Sequence, residues 1–166
     1  MVKKILLIAA LMAPAMISAQ KIAVVNTKAV FEVMPEKISA ETQLNDLLSK
    51  YNEENGKLER EFNLKYSSYQ ALDESTPKSI KARRIQEIQE NQKKIADYQL
   101  MVEQDMKMKE AELLDPIKNK IQSVIDSIGT EEGYSLILDI SVTPVAFKGA
   151  DTKDITGAVK ERLGLK

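Results

Sequence analysis

Apolar residues along this chain follow three kinds of spacing, and each predicts a different element. The run KIAVVN (21–26) is rich in Val and Ile and predicts a short strand. Asn26-Thr27 then suits a helix N-cap, and TKAVFEVM predicts a short helix stopped or kinked at Pro35. From Glu36 to Glu74 the spacing lengthens. Leu44, Leu48, Tyr51, Asn55, Leu58, Phe62, Lys65, Tyr69 and Leu72 alternate at steps of four and three, the signature of a heptad seam. After DESTP a second seam runs through Ile85, Ile88, Gln92, Ile95, Gln99, Val102, Met106, Lys109 and Leu113. Thr76 can cap that second helix, and Pro77 suits its first turn, where a missing N–H costs nothing.

Two narrow seams joined by a short break predict an antiparallel helical hairpin over 36–128 with its tip near 75–77. A helix over 36–74 at about 1.5 Å per residue is about 58 Å long, too long to pack inside a domain of this size. It should project as an arm. Pro35 and Pro116 lie at matching distances from the tip, which makes them a candidate hinge where both helices bend as the arm meets the body. At the tip, Lys78, Lys81, Arg83 and Arg84 form a basic cluster that a partner or an anionic lipid surface could contact.

The body, 20–35 and 129–166, draws on both ends of the chain. Gly129 is the expected helix stop. YSLILDIS (134–141) and PVAFKG (144–149) predict a second and a third strand, and DITGAVKERLGL predicts an amphipathic helix capped by Asp154 or Thr156. Three short strands make a poor independent sheet and cannot cover runs as apolar as IAVV and LILDI. Strands from several copies would complete one β-core, with Ile22, Val24, Leu136, Leu138, Ile140, Val145 and Phe147 as the candidate shared residues. These side chains could instead face the subunit's own helices. The fold class expected is α+β: a projecting coiled-coil hairpin on a small oligomerising β-body.

Composition narrows the function classes. Residues 1–19 carry Lys3 and Lys4 ahead of a short apolar stretch and end at Ala19, the order of a cleavable secretory signal. Cleavage near Ala19/Gln20 would export the rest, and loss of the two lysines shifts the formal charge from −1 to −3. Such a balance disfavours nucleic-acid binding. With no His and no Cys, imidazole bases, thiol nucleophiles and His/Cys metal clusters are excluded. No phosphate-loop motif occurs, and the carboxylates interleave with Lys and Arg as on a solvated face. Neither an enzyme nor a cofactor is expected.

KIAVVNTKAVFE, LLDPIKNKIQSVIDSIGTEEGYSLILDIS and VAFKGADTKDITGAVKERL resemble the corresponding segments of the Skp (OmpH-like) periplasmic chaperones. The resemblance covers the mature chain in layout and is most specific at its two ends. It implies a homotrimer shaped like a jellyfish, whose arms hold unfolded outer-membrane β-barrel proteins in the periplasm without ATP. The family's best-known members are basic and this chain is not, so any charge-based capture would be local to the tip. The competing class is a structural adaptor whose arm is a fixed spacer docking a folded partner at the tip.

Two features leave alternatives open. Met101, Met106 and Met108 suit either core packing or a surface that re-packs against varied partners. Polar residues at the assigned seam sites (Asn55, Lys65, Gln92, Gln99 and Lys109) either specify register or keep the arm soft enough to splay.

Overall fold

In the computed structural model, which describes residues 20–165, the element order is β1 (Ile22–Val25), α1 (Thr27–Phe31), α2 (Pro35–Gln70), α3 (Lys78–Glu132), β2 (Leu136–Asp139), β3 (Lys153–Asp154) and α4 (Thr156–Arg162). The expected signal segment lies outside the described residues.

The strands form one parallel sheet in the order β2-β1-β3, with Ile22 level with Leu136 and Val24 level with Leu138. Parallel neighbours need a long crossover. Here the crossover from β1 to β2 contains the whole arm. Period-two alternation sends Ala23 and Val25 to the helix-covered face. They join Val30, Met34, Ile117, Ile121, Ile125, Ile128, Ile155 and Val159 in one core, with Ile137 packed against it. The other face carries Ile22, Val24, Leu136 and Leu138.

Local chemistry sets the boundaries. Asn26 caps α1, its Oδ1 accepting the Ala29 N–H at 2.8 Å. Pro35 stands at the first helical position of α2, which it can open without loss of a hydrogen bond. Helix α3 passes through Gly129 and ends at Gly133, which takes the left-handed conformation at φ 68°. The expected stop at Gly129 is therefore corrected by four residues. Gly129 has a packing role instead: a Cβ there would come within 3.1 Å of the Ile137 side chain.

The expected third strand is also corrected. Residues 144–149 form no strand, and the place beside β1 is taken by Lys153–Asp154. Ile155 and Val159 are fully buried, and the Ile155 N–H donates to the Val24 carbonyl at 2.9 Å, so anchoring of α4 draws residues 153–154 along β1. Thr76 makes no cap. Pro77 occupies the N-cap position of α3, while Asp73 organises the turn by accepting the Ser75 N–H at 2.7 Å. At α4 the N-cap position is Ile155, and Asp154 Oδ1 accepts from Thr156 N at 3.0 Å.

Candidate functional site

The hairpin α2–α3 leaves much of its apolar surface uncovered. Between Glu41 and Pro116 the buried residues are Leu58, Ile88 and Asn91. Heptad spacing gives each helix a single narrow stripe, so apolar side chains off that stripe have nothing in the same chain to cover them. Leu64 is 70% exposed, Ile38 and Met108 are each 64% exposed, and Leu48, Tyr66, Leu100 and Met101 are also exposed. Met106 is half-buried in the seam.

The seam differs from the expected one by single residues. Leu47 is half-buried where Leu48 was assigned, and Asn91 and Tyr98 point inward where Gln92 and Gln99 were assigned. Helical steps of four and three are interchangeable from spacing alone, and adjacent pairs such as Leu47-Leu48 do not decide between them. Asn55, Lys65 and Lys109 are half-buried as assigned. Across the seam Tyr51 donates to the Asp105 carboxylate, an interaction that holds the Tyr51 phenol above its ordinary pKa. Tyr51 and Tyr98 meet edge-to-face with centroids 6.4 Å apart.

The tip residues are all at the start of α3. Arg84 pairs with Glu87 at 2.7 Å, and Arg83 reaches the same carboxyl at 3.3 Å. That contact holds Glu87 below the usual carboxylate range. Lys81 donates to the Glu74 carbonyl at 3.1 Å, and Lys78 has no ion pair among the described residues. Three of the four basic side chains thus already have partners within the chain.

Pro35 and Pro116 do not play equivalent parts. Pro35 opens α2, while Pro116 lies inside the continuous α3. They share one region all the same. A groove of about 320 Å³ is lined by Glu36, Ala40, Leu113, Pro116 and Ile117, and Lys120 bridges to Glu36 at 2.5 Å.

On the body, the seven candidate core residues divide. Val24 is 1% exposed in the single chain, and Leu138 and Ile140 are half-buried. Ile22, Leu136 and Val145 are exposed, and Phe147 is 84% exposed. Val142 is exposed as well, so a body of few residues leaves five large apolar side chains uncovered.

A polar clasp at the end of β2 is not among the residues that spacing singles out. Asp139, at the end of β2, accepts from Ser141 N at 2.9 Å, Ser141 Oγ at 2.7 Å and Thr27 N at 3.2 Å, and also from the Thr27 hydroxyl. Burial would push its carboxyl up, but these bonds outweigh burial and hold it below the ordinary value. Thr156 adds a second tie, its hydroxyl accepting the Asn26 N–H at 2.9 Å. Short polar residues next to a strand end were the available signal, and they read equally well as turn formers.

Residues 21–163, body and arm together, match the family described as outer membrane protein (OmpH-like). The chain belongs to the OmpH-like family. Among curated members it is 25% identical over 146 residues to the chaperone protein Skp of Pectobacterium atrosepticum, covering 88% of this chain and 87% of that one. It is 27% identical over 156 residues to Skp of Yersinia enterocolitica, covering 93% and 92%. A putative outer membrane chaperone (OmpH-like) from Caulobacter crescentus has the same fold, with a TM-score of 0.67 at 12% identity over 87% of this chain and 83% of that one. OmpH-like membership thus spans both the exposed arm and the small body.

Proposed function

We propose that this chain is an ATP-independent periplasmic holdase. Three copies join through the body, and their arms surround unfolded outer-membrane β-barrel proteins and keep them from aggregating. The observation that carries this reading is the apolar surface left open along the arm, at Ile38, Leu64, Leu100, Met101 and Met108. Scattered exposed apolar groups on a long hairpin suit many weak contacts with an unstructured chain, and Met re-packs well against varied partners. Family membership and relatives named as chaperones support the same role.

Assembly through the body is supported by Ile22, Leu136, Val145 and Phe147, whose exposure is hard to reconcile with a free monomer. Pro35 and Pro116 remain the proposed hinge at the arm's root. Contact of Lys78, Lys81, Arg83 and Arg84 with an anionic lipid surface stays secondary, because Glu87 and the Glu74 carbonyl already engage three of them. The same pairing weighs against a spacer that docks a folded partner at its tip.

The test dilutes a denatured outer-membrane β-barrel protein into buffer containing residues 20–166, without nucleotide, and follows light scattering. Suppression near one trimer per client is expected. Unchanged aggregation with an intact oligomer would move the weight to the adaptor role.

A further inference from the structure

Asn91 is the buried polar residue of the described chain, 3% exposed, on the seam face of α3. Its Oδ1 accepts from Lys65 Nζ at 3.1 Å, and Lys65 is also held by Glu61 at 2.7 Å. Its Nδ2 has no hydrogen-bond partner at all. A buried donor left unpaired is costly, and a leucine at the same place would add apolar burial instead. The layer one turn closer to the tip is Ile88, one of the two buried apolar residues between Glu41 and Pro116. A weak layer therefore sits beside a strong one.

Buried amides often fix register in coiled coils. Here the turn 71–77 already ties the two helices together, and Tyr51–Asp105 and Glu36–Lys120 pair in the same antiparallel alignment. Sliding by one heptad would also set Lys65 against Arg84 or Tyr98. Register is secured without Asn91, so the unpaired donor needs another account.

We propose that the Lys65–Asn91 layer is a built-in parting point that lets the distal arm open around clients of different size. This rests on the holding role above and deepens it, making Asn91 a positioning residue that sets client range. When the helices part, water can satisfy Nδ2 and the Lys65 ammonium, so opening at this layer recovers solvation that other seam layers would lose. Heptad spacing assigns the polar seam site to Gln92, and that position is exposed.

The experiment measures amide hydrogen exchange by mass spectrometry on residues 20–166 carrying Asn91→Leu, Asn91→Asp or Gln92→Leu. Asn91→Leu should slow exchange on both sides of the layer by roughly tenfold or more, while the body core is unchanged. Asn91→Asp should slow it at neutral pH, because a carboxylate accepts from Lys65 and leaves no orphan donor, and the effect should fade in acid. Gln92→Leu should change nothing. In aggregation assays Asn91→Leu should hold small barrel clients as before and lose the largest ones. Unchanged or faster exchange in both Asn91 variants, with helix content kept, would overturn the proposal. Exchange is read without client, so altered exchange in a chain that holds no unfolded protein would sink the holding role and leave the parting point standing.

Discussion

Body and arm are built from one chain by opposite rules. In the body Ala23, Val30, Met34, Ile128, Ile155 and Val159 are essentially inaccessible and belong to one cluster fed by β1, β2 and parts of four helices. Along the arm from Glu41 to Pro116 three side chains are fully buried, and half-buried seam residues such as Tyr51 and Tyr98 make up the rest of the contact between the two long helices. The body gains from concentrated burial. The arm buries few of its apolar residues completely and leaves several, Leu64 and Met108 among them, exposed, which weakens it as a folded object and suits it to contact with other chains. The two regions should therefore respond very differently to comparable substitutions.

The largest effect should come from Ile128→Ala in the body, which removes a buried side chain where the sheet, α3 and α4 converge. A loss of about 2–5 kcal/mol is expected by urea denaturation, with oligomer dissociation alongside. Leu58→Ala in the arm should leave body unfolding nearly unchanged and speed amide exchange along the arm alone. Should both variants shift a single cooperative transition equally, the separation of body from arm would be wrong.

Asp139→Ala should rank next. It strips acceptors from Thr27 and Ser141 and should cost about 1–3 kcal/mol at neutral pH. The folded carboxyl lies below its ordinary value of 3.8. Its contribution is thus complete above about pH 4 and lost as pH falls through the lower folded value. Wild type and variant should converge in strong acid, as followed by thermal melts across pH. The smallest effect belongs to Arg83→Ala, whose exposed pairing with Glu87 should change stability by no more than about 0.5 kcal/mol. Liposome binding by that variant would show whether the tip has any role beyond its internal pairing.

The same contrast explains what could be read from the residues. Long-period spacing gives both arm helices, because a sustained 4-3 repeat has few competing interpretations. It does not decide between Leu47 and Leu48, or between Asn91 and Gln92, since one residue of rotation is invisible when both neighbours are alike in type. In the body the Ile22–Val25 strand and the Asn26 cap follow from local propensity. The exchange of residues 144–149 for Lys153–Asp154 beside β1 does not. Two polar residues become a strand because Ile155 and Val159 pull them there, a tertiary effect overriding β-propensity. The Asp139 clasp reaches Thr27 across more than a hundred positions, and its one local signal, short polar residues at a strand end, reads equally well as a turn.

The most direct test of this division of labour places a photo-activated cross-linking side chain at Leu64, at Met108 or at Phe147. Each variant is then mixed with a denatured outer-membrane β-barrel protein without nucleotide. The account predicts that Leu64 and Met108 label the client, while Phe147 labels a second copy of the chain. Client labelling at Phe147 with none from the arm would contradict it.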